Sequence, residues 1–166
     1  MKFEFKEIEK KDEKQLMNLI KTVLDNLEKE EYFIPYEKWE LESMFDKTYA
    51  PLYGAYDNEK LVAMTQLYIR EDFLEEYINI LDLKGNRVCE LGGNLVLPEY
   101  RGKGLITELM KLQSNLAKEM KFDYIILMAH PDNIASKKSL EKIGLKYVKT
   151  TTVNGKYLRD IYMKKL

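Results

Sequence analysis

The sequence predicts an α+β fold: a mixed sheet of about seven strands with helices on both faces, occupying residues 1–166 as a single domain. Three observations point there. Strand-like and helix-like runs follow one another as β-α-α-β-β-β-α-β-α-β-β. Two of the strand pairs are joined by short polar turns, the mark of hairpins rather than crossovers. No repeat, low-complexity tract or Pro/Gly/Ser-rich linker divides the 166 residues, a length that suits one sizeable core.

Phe3 and Phe5, followed by Ile8, alternate with charged residues and read as a first strand with one buried face. Asp12 stands where it can cap the next helix, in which Leu16, Leu19, Ile20, Val23, Leu24 and Leu27 recur at helical spacing. The charged run 28–31 reads as that helix's solvated end. Pro35 breaks the chain, and 36–45 reads as a shorter second helix. Strands at 52–56 and 61–69 flank the turn Asp57-Asn58-Glu59-Lys60. In 70–83, Phe73, Leu74, Tyr77, Ile78 and Leu81 fit a short helix, yet 77–83 fits an extended run equally, so the segment reads as an inserted, lid-like piece.

After the Gly85-Asn86 turn, 87–97 reads as a long central strand. Its Gly92-Gly93 pair marks a bulge or a close backbone approach. Gly104 opens the strongest helix, with a stripe of Leu105, Leu109, Leu112 and Leu116 broadened by Ile106, Met110, Ala117 and Met120. A short buried strand at 124–128 precedes a helix at 133–143, which Gly144 stops. Strands at 145–152 and 156–163 close the chain around Asn154-Gly155, the favoured type I′ turn pair.

Formal net charge is −1, from 27 basic and 28 acidic residues, which argues against a dedicated nucleic-acid binder. The single cysteine, Cys89, cannot form an intramolecular disulfide and fits a reducing compartment. The N-terminus is too charged for a signal peptide, and no apolar run approaches the roughly 20 residues of a membrane span. The expectation is a cytoplasmic protein with no membrane partner. One histidine and one cysteine do not make a zinc site of the usual kind, so no metal is expected.

The most informative stretch runs from strand through Pro98-Glu99-Tyr100-Arg101-Gly102-Lys103-Gly104 into helix. Pro98 ends the ladder because it has no N–H to donate. The glycines let the backbone turn tightly and approach a ligand, and the helix start then offers unpaired N–H groups and the positive end of its dipole. That is an anion site suited to a pyrophosphate, with Arg101 and Lys103 adding charge. A P-loop would need glycine at Leu97 and Ser or Thr at Leu105. A dinucleotide fingerprint would need a third glycine at Thr107, and no parallel strand-helix-strand unit with a ribose-binding acid follows. The plainer alternative is a strand-to-helix connection whose glycines only reverse the chain.

Val96-Leu97-Pro98-Glu99-Tyr100-Arg101-Gly102-Lys103-Gly104 resembles the V-x-P-x-x-R-G-x-G hallmark of the GNAT superfamily of acyl-CoA-dependent N-acetyltransferases. The stretch from His130 to Leu145, HPDNIASKKSLEKIGL, is similar to the family's Asn-containing helix that ends in Gly and an apolar residue. The strand order fits from Phe3 to Lys164. The resemblance implies a mostly antiparallel sheet splayed at its centre, and acetyl-CoA as co-substrate. It implies that the backbone of Leu95 and Leu97 pairs with the pantetheine arm, with Val96 between them among the cofactor-binding residues and Asn94 near the acetyl carbonyl. The pyrophosphate would sit on the amides of Arg101, Gly102, Lys103, Gly104, Leu105, Ile106 and Thr107, Asn133 would hold the pantetheine arm by its side chain, and Ser136 would be among the cofactor-binding residues. Ile106 departs from the glycine or alanine common at its place, and Leu140 from the tyrosine that often protonates the leaving thiolate. Ser136, Ser139, a tyrosine from elsewhere or water would then take that role.

Acetyl transfer to an amine needs a neutral nucleophile, a donor for the developing oxyanion and protonation of the thiolate. The resemblance makes Glu90 the candidate base, at a place where the family often carries an acid; strand alternation puts it on one face with Gly92, Asn94 and Val96 unless a bulge shifts the register. Its alternative is a salt bridge with Arg87 or Lys60. His130 reads either as a second base or as a loop histidine bonded to backbone. Cys89 points away from Glu90 and reads as packing. Tyr32, Phe33, Tyr36 and Trp39 cluster where the family's first helices border the acceptor pocket, and Arg70 or Glu76 could orient an acceptor. The acceptor is a small-molecule or protein amine. The final hairpin and the 70–83 segment offer surfaces for a homodimer. The rival functions are a non-catalytic acyl-CoA-binding module of the same fold and a structural domain without cofactor.

Overall fold

Alternating Phe3 and Phe5 set one face of β1 (Phe3–Glu7) on the core, and Ile8 behind it is 3% exposed. The computed structural model describes residues 2–166. After β1 come α1 (Glu13–Asp25), α2 (Lys38–Glu42), β2 (Leu52–Asp57), β3 (Lys60–Tyr68) and α3 (Glu71–Ile80). Then follow β4 (Val88–Val96), α4 (Leu105–Glu119), β5 (Tyr124–Ala129), α5 (Ile134–Lys142), β6 (Lys146–Val153) and β7 (Tyr157–Lys165).

The seven strands form one sheet in the order β1-β2-β3-β4-β5-β7-β6. Every neighbouring pair is antiparallel except β4 and β5, which α4 joins as a parallel crossover. A parallel strand-helix-strand unit is therefore present, which corrects that part of the expectation; the glycine spacing still separates this turn from a dinucleotide fingerprint. The β4–β5 ladder is only three pairs long, from Val88↔Tyr124 to Glu90↔Ile126. Beyond it the two strands separate.

Helices cover both faces. Met110 and Ala117 of α4 and Leu140 of α5 pack with Leu67, Cys89 and Leu91. On the opposite face, Leu74, Tyr77 and Ile78 of α3 pack with Tyr68, Val88 and Ile126. Leu16, Leu19, Ile20 and Val23 of α1 join a third cluster over β2 and β3. Asn154 (φ 49°) and Gly155 (φ 76°) make the final turn with the two positive φ values that a type I′ geometry requires.

Several local expectations change. Asp12 precedes α1 but makes no side-chain cap; its carboxylate accepts instead from Tyr56 Oη at 2.9 Å. Asn26 turns its amide onto the Thr22 carbonyl (2.7 Å) and α1 stops there, so residues 28–31 are exposed but lie outside it. A capping box between Glu37 and Glu40 starts α2 at Lys38, leaving Tyr36 outside the helix. Segment 70–83 is not a lid, because three residues on the inner face of α3 are buried in the core. On α4, Leu112 and Leu116 are only half-buried, and the buried place belongs to Gln113. Its Nε2 donates to the carbonyls of Pro51 (3.1 Å) and Thr65 (3.3 Å). Among the described residues no helix is long and apolar enough to cross a membrane.

Candidate active site

The separation of β4 from β5 opens a groove of about 770 Å³. Residues 90–94 of β4 form one wall, Met128, Asn133 and Ser136 another, and α2, α3 and the final hairpin close the rest. A bulge re-aims β4 here, where the β3–β4 register shifts between Met64 and Gln66. Gly93 carries it at φ +57°. A Cβ at Gly93 would lie 2.7 Å from Gln66 Oε1 and 2.8 Å from Tyr36 Oη, and one at Gly92 would lie 2.6 Å from Tyr68 Cε2. The two glycines thus let a polar cluster press against the strand. In it Tyr36 (3.0 Å) and Tyr68 (2.9 Å) both donate to Gln66 Oε1.

Glu90 lies in this wall and is 7% exposed, with Oε2 lacking any hydrogen-bond partner. Burial, with the Glu40 charge adding to it, pushes its carboxyl up to about 8. Neither expected ion pair forms. Arg87 donates to the carbonyls of Lys121 and Met120, and Lys60 pairs with Glu99 at 3.4 Å. Glu40, also raised by burial, accepts from the Glu37 amide (2.7 Å) and from Tyr49 Oη (3.3 Å).

At the far end of β4, Leu97 N–H donates to the Val62 carbonyl (2.9 Å), and its own carbonyl accepts from Tyr100 N–H (2.9 Å). Leu97 therefore faces β3, as does Leu95 opposite Met64, whereas Val96 turns its backbone groups toward the gap. This corrects the pairing expected of Leu95 and Leu97: of the three, Val96 offers free backbone groups. Asn94 lines the groove with Oδ1 buried and without a partner.

Residues 101–104 are exposed. Gly102 and Gly104 both sit at φ +76°, and no atom lies within 4 Å of a Cβ added to either. The backbone bonding of α4 begins with Glu108 N–H to the Gly104 carbonyl (3.1 Å), so the amides of Leu105, Ile106 and Thr107 have no intrahelical acceptor. The Arg101 amide is already committed to the Pro98 carbonyl (3.3 Å), which removes it from the expected set. Ile106 packs its side chain against two core clusters, so the departure from glycine places its branch among apolar neighbours.

Asn133 caps α5 by accepting from Ser136 N–H at 3.2 Å, and both residues line the groove. Ser139 does not line it; its hydroxyl donates to the Ala135 carbonyl one turn back (3.1 Å). That geometry corrects the assignment of Ser139 to proton transfer. Leu140 is 1% exposed in the core. His130 accepts the Asp132 N–H on Nδ1 (3.1 Å) and stands beside Tyr32, the backbone-bonded alternative. Cys89 is buried on the face opposite Glu90, its thiol pushed up to about 12 by burial.

Tyr32, Phe33, Tyr36 and Trp39 all line the groove, as does Arg70, which pairs with Asp72 at 2.7 Å. Glu76 instead accepts from the Asn154 N–H (3.0 Å) and anchors the hairpin. Sequence reasoning missed Glu40, Gln66, Tyr68 and Arg159. Gln66 left a signal, a polar residue in the apolar run 61–69. The others depend on which strands and helices meet.

The model of the Acetyltransferase (GNAT) family matches residues 15–145. A comparison with curated proteins gave no match. Among solved structures, an N-acetyltransferase from Staphylococcus aureus Mu50 superposes with TM-score 0.76 at 16% identity, covering 99% of both chains. An acetyltransferase from Streptococcus agalactiae 2603 gives 0.71 at 22%, covering 99% of this chain and 98% of that one. A chain of the NatC complex bound to Gag peptide and CoA gives 0.77 at 16%, covering 100% and 99%. These likenesses speak to the fold.

Proposed function

Because the chain belongs to the GNAT acetyltransferase family, we propose that it moves an acetyl group from acetyl-CoA to a primary amine by direct attack in a ternary complex. The observation that carries this reading is the gap between β4 and β5. The groove holds a buried, unpaired carboxylate on the α3 side, and the β4 strand that walls it runs on toward the α4 start, whose free amides suit an anion. The free amides of 105–107 and the exposed Arg101 and Lys103 suit the pyrophosphate, Val96 the pantetheine arm, and Asn133 and Ser136 its flank. Acetyl-CoA supplies an activated acyl group.

The chain's own work is to hold it and to take a proton. An alkylamine enters as the ammonium. Glu90, more basic than a free carboxylate, accepts that proton either directly or through water; the neutral amine then attacks the thioester carbonyl, the C–S bond breaks, and the CoA thiolate leaves with the amine's second proton, passed through water. Asn94, whose side chain lines the same wall with Oδ1 unpartnered, supports a contact with the acetyl end of the cofactor. The kinetic expectation is intersecting initial-velocity lines, since both substrates share the groove; parallel lines would point to an acyl-enzyme instead.

Glu90 must be ionised to act, so kcat/KM rises with pH through about 8. Glu90→Gln is expected to lower turnover on the order of 10²-fold and to flatten that limb. Unchanged turnover and pH profile would remove the base role. Leu140 in the core and Ser139 outside the groove favour one second reading, a non-catalytic acyl-CoA-binding module. A melting temperature raised by acetyl-CoA, with no thiol released across a broad amine panel, would decide for it.

A further inference from the structure

Arg159 is 3% exposed and lines the groove, yet it donates only to neutral carbonyls, and the Glu31 charge reaches it from beyond ion-pair distance. Nη1 donates to the Leu158 carbonyl (2.7 Å) and Nη2 to the Glu31 carbonyl (2.8 Å). Among the described residues no carboxylate lies within ion-pair distance of it. The next residue is treated differently: the buried Asp160 has Lys137 at 2.9 Å. A guanidinium taken out of water without a countercharge is costly, and a bound anion relieves that cost.

The strand alternation says which anion. Asp160 faces α5 through Lys137, so Arg159 faces the other side, where its guanidinium lies 5.7 Å from the Tyr157 ring centroid. That is the face of α3 and Glu90, opposite the one on which α4 packs. The phosphates of a bound acyl-CoA belong at the α4 start, so Arg159 is left for the acceptor. Groove charges divide in the same sense. Glu37, Glu40 and Glu90 line one part, Lys156 and Arg159 come from the final hairpin, and Arg70 is neutralised by Asp72.

We infer that the acceptor carries a carboxylate as well as its amine, the ammonium entering toward Glu90 and Glu40 and the carboxylate pairing with Arg159. The acceptor class is thus an amino acid or a short peptide with a free C-terminus. This rests on the acetyl-transfer reading, and Arg159 acts as a specificity residue.

The test measures thiol release from acetyl-CoA with matched acceptor pairs. Glycine, β-alanine, 4-aminobutyrate and 5-aminovalerate sample the spacing, each set against the alkylamine that lacks the carboxylate. L-phenylalanine and the dipeptide Gly-Phe are set against phenethylamine and the dipeptide amide. At least one carboxylated acceptor is expected to exceed its partner by about tenfold in kcat/KM. Arg159→Gln should erase that preference through KM while acetyl-CoA still raises the melting temperature, and Arg159→Lys should keep part of it. Equal rates within every pair, or a preference unchanged in a folded Arg159→Gln protein, would show that Arg159 only props the Glu31 carbonyl. If no acceptor turns over, the same pairs are compared as stabilisers of the CoA-bound protein, and equal stabilisation overturns the inference. Failure of acetyl-CoA itself to stabilise the protein would instead sink the acetyl-transfer reading.

Discussion

Glu90 couples the site to the stability of the chain. Its carboxyl stands at about 8 in the folded protein against an ordinary 4.5, so folding favours the protonated form. The associated stability is complete below about pH 4.5 and is lost as pH rises through 8, up to about 5 kcal/mol. Glu90→Gln cannot ionise. Its melting temperature should fall less than the wild type's between pH 5 and pH 9, as differential scanning calorimetry would show. Gly93 is a second residue with a measurable demand. Alanine there must hold φ +57° with its Cβ against Gln66 and Tyr36. Gly93→Ala should cost about 1–3 kcal/mol in urea denaturation. Gly102→Ala keeps only the conformational strain, about 1 kcal/mol, because no neighbour lies within 4 Å of the added carbon.

At the scale of elements, α4 shows how a side chain fixes the orientation of a helix. Gln113 looks like a solvent residue beside a leucine stripe, yet it is fully buried and supplies the donor for two carbonyls. Gln113→Ala should lower stability by about 2–4 kcal/mol. Gln113→Leu, which keeps the volume, should still lose about 1–3 kcal/mol if the hydrogen bonds matter. The same residue marks where sequence reading reaches its limit. Strand identities, the bulge at Gly92-Gly93, the final turn and the glycine loop were all legible, because each is decided by chemistry within a few residues. On α4, Leu105, Leu109, Met110 and Ala117 were legible and Gln113 was not, since the glutamine's partners lie 48 and 62 residues away. Segment 70–83 was ambiguous because Phe73, Leu74, Tyr77 and Ile78 suit either a helix or a strand; packing on Tyr68 and Val88 made it α3. Within the candidate site, Glu90 was reached through the family resemblance and the amides of 105–107 through the glycine turn into a helix. Arg159 and Glu40 could not be reached, for their meaning comes from which face of the sheet they share.

For the molecule as a whole, the sheet consists of two ladders, β1 to β4 and β5 with β7 and β6, joined directly by three residue pairs. A ligand lying between them touches both, so acetyl-CoA at a hundredfold excess over its Kd should stabilise the fold by about 2.7 kcal/mol, visible as a raised melting temperature. Val96 offers the local readout: its amide should exchange faster than that of Leu97, which β3 holds, and should slow when acetyl-CoA is added. Unpaired strand rims are usually a hazard, because they invite pairing with other chains. Here such a rim lies in the interior of the sheet order, with β5 on its far side. On the proposed acetyl-CoA reading, the protein keeps an adhesive edge for an extended ligand while shielding it from self-association. A substitution that let β4 and β5 zip past Glu90 would remove that docking edge even as it made the sheet more regular.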